Sequence, residues 1–100
     1  MPKKSETYLK ERVLRELQQL GGWWVKVQQI TISGTPDILG CYKGHFVALE
    51  LKSEEGVISR LQNYNLRKIE SSGGYAASVL PSTWEVVKHE IQMLGEKNAS

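Results

Sequence analysis

Within residues 5–20, apolar side chains return at Leu9, Val13, Leu17 and Leu20, spaced four, four and three apart, as one face of an amphipathic helix requires. Ser5 is positioned to cap that helix and Gly21-Gly22 to stop it. The pattern then changes period. "WWVKVQQITI", residues 23–32, has the β-branched and aromatic content of a strand, and residues 37–42 and 46–52 follow as two more. Lys43-Gly44 joins these last two as a tight hairpin. "SRLQ" at 59–62 has the form of a capping box, Ser59 with Gln62 three positions on, and predicts a helix to about Ser71, ended by Gly73-Gly74. "YAASVL" at 75–80 reads as a short strand. "STWE" at 82–85 is a second capping box, opening a helix with Val86, Val87, Ile91 and Leu94 on its apolar side. Residues 1–4 and 95–100 are expected to fray.

The predicted order is α-β-β-β-α-β-α, an α/β fold in which helices flank a small sheet. The hairpin implies an antiparallel pair, and the helical crossover from the third strand to the fourth implies a parallel one, so the sheet is mixed. There are no repeats and no low-complexity tract.

Composition narrows the function classes. The 100 residues, 40% apolar and 24% charged, describe one globular domain with a single core. No apolar run approaches the roughly 20 residues of a membrane span, and "MPKKSETYLK" lacks the apolar centre of a signal peptide. A cytoplasmic protein with no membrane partner is therefore expected. The single cysteine, Cys41, can supply neither an intramolecular disulfide nor a thiolate zinc site, and reads as a small core residue. A formal charge of +2 permits a polyanionic partner without demanding one.

The chemistry lies in "SGTPDILGCYKGHFVALELK", residues 33–52, where charged groups interrupt apolar strands. Strand side chains alternate, so Glu50 and Lys52 share a face. Pairing across Lys43-Gly44 sets Asp37 opposite the region of Glu50 to Lys52. Pro36 suits a strand entrance, and Gly34 permits a conformation other residues disfavour. Two adjacent carboxylates repel, and each has its pKa raised unless a cation neutralises the pair. Oxygen ligands of this kind suit magnesium or manganese, which bind through one or two carboxylates plus a substrate phosphate. A neighbouring ammonium can stabilise charge developing on that phosphate. This is the chemistry of phosphodiester hydrolysis.

"GTPD" at 34–37, followed after twelve intervening residues by "ELK" at 50–52, resembles the PD-(D/E)xK nuclease superfamily in its VRR-NUC branch. "SE" at 5–6, the "LGG" helix end, "GTPD", "ALELK", Gln62 and "SSGG" fall in the order and spacing of small stand-alone phage and bacterial members. The resemblance spans nearly the whole chain. It implies a restriction-endonuclease-like fold over residues 1–100, use of Mg2+ or Mn2+, and structure-specific cleavage of branched DNA by a homodimer. It implies that Asp37 and Glu50 are metal ligands with the backbone carbonyl of Leu51 between them, and that Lys52 positions the attacking water or stabilises the transition state. Gln62 would stand beside the metal. The family's first-helix glutamate falls on Glu6, next to Ser5. Helix geometry at roughly 100° per residue agrees, since Glu6 lies within the Leu9-Val13-Leu17 stripe and Glu11 nearly opposite.

Taken singly, each residue has a plainer reading. "ELK" on an edge strand is commonly a solvated pair, Asp37 commonly caps a turn, and Gln62 is explained by its capping box. Jointly they favour a site. His45 and His89 lack partner ligands for a histidine-metal nuclease. Trp23 and Trp24 face opposite sides of their strand, each placed to be buried under a helix or, for one of them, to serve an interface along with the last helix around Trp84. Lys3, Lys4, Lys10, Arg12 and Arg15 could meet a phosphate backbone or simply be solvated. "SEEG" at 53–56 reads as mobile and acidic. The expected function is a metal-dependent, structure-specific DNA endonuclease of the Holliday-junction resolvase kind. The alternatives are a catalytically silent DNA-binding or assembly subunit, and a restriction-like or recombination exonuclease.

Overall fold

The structure, a computed structural model, describes residues 2–28 and 32–97. The elements follow the expected order: α1 (Pro2–Leu20), β1 (Trp23–Lys26), β2 (Ile38–Tyr42), β3 (His45–Leu51), α2 (Arg60–Ser71), β4 (Tyr75–Val79) and α3 (Trp84–Lys97). The strands form one sheet in the order β1-β2-β3-β4, antiparallel twice and then parallel. The parallel pair needs a crossover, which α2 supplies. The β2–β3 turn is a two-residue loop in which Lys43 (φ 50°) and Gly44 (φ 87°) are both left-handed, the geometry whose twist matches a hairpin.

Period-2 alternation divides the strands cleanly. Ile38, Tyr42, Val47, Leu49 and Leu51 point to one face, where Leu9, Val13 and Leu17 of α1 and Trp84, Val87, Ile91 and Leu94 of α3 bury them. Trp24 lies across β2 on this face because its partner Gly40 has no side chain. A Cβ there would come within 2.2 Å of the indole. Truncating a fully buried leucine such as Leu17 would cost about 2–5 kcal/mol. The opposite face is covered by α2, whose Leu66 packs on Ala48 and Ala76. This helix sits over β3 and β4 and leaves the β1–β2 half open. Trp23 (64% exposed) remains in solvent there, as does Phe46 (46%) near the start of β3, with a groove of about 480 Å³ between Phe46 and Ile69.

A part-buried ionic cluster fastens α1 to α3. The Glu16 carboxylate accepts hydrogen bonds from Lys88 Nζ (2.8 Å), Arg12 Nε (2.9 Å) and Trp84 Nε1 (3.0 Å). The Lys88 bond, reinforced by Arg12 and Trp84, pushes its pKa down to about 2 against the opposing effect of burial. Arg12 also reaches Glu85 at 2.7 Å.

Several expectations are corrected. Helix α1 begins at Pro2, so Ser5 is inside it and not its cap; proline suits a first helical position. The helices extend through residues 2–4 and 95–97, where fraying was expected, while residues 1 and 98–100 lie outside the described residues. The first strand ends at Lys26, Ile32 belongs to a turn, and 29–31 lie outside the described residues. Ser82 does not serve α3, because its N–H and Oγ both bond to the Glu54 carboxylate, which also pins "SEEG" in place. Val86 is exposed, one position off the buried face. Trp23 and Cys41 are exposed because α2 stops short of them, and Trp84 is fully buried, so it cannot serve an interface. Arg12 pairs with Glu16 and Glu85. Among the described residues no helix is long and apolar enough to cross a membrane.

Candidate active site

The site is built where β2 begins and β3 ends. Before β2 the chain makes a turn closed by Thr35 Oγ1 donating to Ile32 O (2.5 Å) and tied to α2 by Asn65 Nδ2 donating to Ser33 O (3.0 Å). Gly34, at φ 80°, lies so close to Leu61 and Asn65 that a Cβ would meet them at 2.9 and 2.8 Å. Pro36 follows and delivers Asp37 to the strand entrance. The register Ile38↔Leu49 sets Asp37 level with Glu50. Asp37 Oδ2 then accepts the Leu51 N–H at 2.8 Å, so one carboxylate oxygen takes the place of a strand partner.

Glu50 shares the α2-facing side with Phe46 and Ala48, yet it is 2% exposed. Its Oε2 accepts Gln62 Nε2 at 2.7 Å and lies 3.6 Å from Lys52 Nζ. Its Oε1 is buried and, among the described residues, has no hydrogen-bond partner. Burial first, and then the negative charge of Asp37, push the Glu50 pKa up to about 7 against the opposing pull of Lys52. Gln62 unites its two readings in one amide. Its Oε1 accepts Ser59 N–H (2.9 Å) to complete the capping box while its Nε2 holds Glu50.

Asp37, Glu50, Lys52 and Gln62 are thus brought together. Glu6 is half-buried on α1, and among the described residues no three His, Cys, Asp or Glu side chains form a group able to hold a metal, so Glu6 is not gathered with the pair. His45 closes the hairpin at the far end of β3, and His89 is exposed on α3. Sequence reasoning placed Lys10 only among the outward charges, whereas its Nζ lies 3.5 Å from Asp37 Oδ1. The available signal was its position one helical turn after Glu6 and beside the buried Leu9. The groove between Phe46 and Ile69 lies away from these carboxylates, and none of its described lining residues is acidic.

A hard divalent cation fits the residues present. A buried carboxylate oxygen without a donor, next to a second carboxylate, is the kind of oxygen pair that Mg2+ or Mn2+ takes while a substrate phosphate completes its shell.

No protein-family model and no curated protein matches the sequence. A solved structure described as a VRR_NUC domain does match in three dimensions, with a TM-score of 0.68 and 23% identity, covering 84% of this chain and 91% of that one. With helices on both faces of a four-stranded mixed sheet, this chain has the fold of a VRR_NUC domain.

Proposed function

We propose that this chain is a divalent-metal-dependent nuclease that hydrolyses phosphodiester bonds in DNA. The carrying observation is the unpartnered, buried Glu50 Oε1 set beside Asp37 and Lys52 where β2 and β3 converge. Fixed structural carboxylates are ordinarily satisfied, and a desolvated acid with a specific charge partner marks a functional centre. Asp37 and Glu50 would hold Mg2+ or Mn2+, with the Leu51 carbonyl as a further ligand. When bound, such an ion supplies charge neutralisation at the phosphate and a hydroxide-like nucleophile at neutral pH.

The chain's own residues do the positioning. Gln62 fixes the direction of the Glu50 carboxylate from the first turn of α2, and the Leu51 N–H fixes Asp37. Lys52, alternating onto the same face as Glu50, offers an ammonium to the non-bridging phosphate oxygen where charge accumulates. Glu6, one turn before Lys10 on α1 and about 6 Å from it along the helix axis, stands outside the Asp37–Glu50 pair in the metal-free structure and would add a carboxylate only by turning toward a bound ion.

The substrate we propose is branched DNA, with a four-way junction as the natural target of a two-fold dimer. Each chain builds one centre, and paired cuts on strands related by a two-fold axis need two. The open β1–β2 half of the sheet, with Trp23 and Cys41 in solvent and Phe46 of β3 beside Cys41, offers apolar surface for that pairing. Cleavage of labelled linear, flapped, forked and four-way DNA, with Mg2+ and with chelator, tests this reading. Metal-dependent cutting that favours the four-way junction is expected. Binding without cutting on every substrate would replace the nuclease with a DNA-binding subunit.

A further inference from the structure

The two carboxylates of the site differ in which oxygens they leave open. Asp37 Oδ2 is taken by the Leu51 N–H and Glu50 Oε2 by the Gln62 amide. What is left is Glu50 Oε1, which has no partner among the described residues, and Asp37 Oδ1, whose neighbour is the ammonium of Lys10 at 3.5 Å. We propose that Lys10 is an internal stand-in cation: it holds Asp37 Oδ1 in the metal-free protein and must be displaced when a divalent ion enters. This rests on the metal-site reading above.

Charge balance supports it. Asp37 and Glu50 face two ammonium groups, Lys10 and Lys52, so the metal-free site is neutral when both acids are ionised. A divalent ion added to that set brings a surplus of positive charge, and the lysine on the more accessible oxygen is the one able to yield. Lys10 is that lysine. It reaches the site from α1, whereas Lys52 directly follows the strand that carries Glu50, and its side chain is 31% exposed, against 20% for Lys52. A flexible four-carbon stem lets the ammonium swing outward without disturbing the helix. Once released it faces the same solvent from which a DNA phosphate arrives. The ion and Lys10 are therefore competitors for one oxygen, and removing the lysine tightens metal binding.

Calorimetric titration of Mn2+ into the metal-free full chain, without DNA, tests this directly. Glu50→Gln should abolish or greatly weaken the binding, which locates the ion. Lys10→Met should bind Mn2+ more tightly than wild type by roughly three- to tenfold, the gain from losing a part-exposed ion pair and the like-charge repulsion. Lys10→Arg, which keeps the charge, should return to wild-type affinity. A side chain that merely supports the fold would weaken binding on removal or leave it unchanged. Should the methionine variant fail to fold, Lys10→Gln gives the same readout. If Glu50→Gln removes the binding while Lys10→Met matches wild type or binds more weakly, the role given to Lys10 is wrong and the metal site stands. If wild type shows no binding that depends on Glu50, the metal-site reading falls and Lys10 with it.

Discussion

Replacing Glu50 by glutamine should make the metal-free protein more stable, even though it removes the residue most central to the proposed chemistry. The carboxylate is 2% exposed, lies beside Asp37 and leaves Oε1 without a donor. Burial and the Asp37 charge raise its pKa from 4.5 to about 7. A raised acid pKa means that the folded state holds its proton more tightly than the unfolded chain, so stability falls as pH climbs from about 4.5 through 7 and stays low above it. At about 1.4 kcal/mol for each pH unit the loss is bounded at about 3–4 kcal/mol, and local relaxation brings it to about 2 kcal/mol. Glutamine is nearly isosteric, keeps an oxygen to accept the Gln62 N–H and carries no charge to repel Asp37. Urea or thermal denaturation in chelator should show Glu50→Gln about 2 kcal/mol more stable than wild type at pH 8, a rise of roughly 10 °C in Tm for a domain of this size. The gap should close below pH 4.5, where the wild-type acid is protonated in both states. Added Mn2+ should stabilise wild type and not the variant. A variant equal to or weaker than wild type at pH 8, or a gap that ignores pH, would refute the reasoning.

The ionic cluster between α1 and α3 behaves in the opposite sense. Glu16 has its pKa pushed down to about 2, so its contribution is present above about 4.5 and lost as pH falls toward 2; Glu16→Gln should cost about 2 kcal/mol at pH 7 by urea denaturation and nearly nothing at pH 2. Gln62→Ala and Ser59→Ala both strip the α2 cap and should each cost about 1 kcal/mol, but only Gln62→Ala frees Glu50 and should slow DNA cleavage; equal cleavage rates for the two would remove Gln62 from the site. Light scattering should return about twice the 11.3 kDa chain mass. Trp23→Glu, on the uncovered face, should return the mass of one chain with little change in urea midpoint, and an unaltered dimer would move the interface elsewhere.

The convergence of Asp37, Glu50 and Lys52 was legible in the sequence because two local rules suffice for it. A two-residue turn at Lys43-Gly44 pins the register, and period-2 alternation decides the face. Gln62 was legible as a cap for the same local reason; its second bond to Glu50 depends on where α2 lands after the crossover. That landing also decided Trp23 and Cys41. Their strands alternate as expected, but the single helix on that face is too narrow to cover four strands and sits over β3 and β4. Ser82 escaped its capping box because Glu54, 28 residues away, offers a carboxylate to both of its donors. For Lys10 the local signal stops at its place beside Leu9 and one turn after Glu6, since nothing in α1 alone says that the entrance of β2 will lie within reach of its ammonium.

The central claim, that Asp37, Glu50 and Lys52 form one metal-dependent hydrolytic centre, is tested most directly by measuring Mg2+-dependent nicking of a labelled four-way junction by wild type, Asp37→Asn, Lys52→Ala and the double variant. Each single change should lower cleavage by orders of magnitude while DNA binding and folding persist, and the double variant should be little worse than either single one, as expected of residues that act as a unit. Cleavage by Asp37→Asn or Lys52→Ala at the wild-type rate would contradict the account.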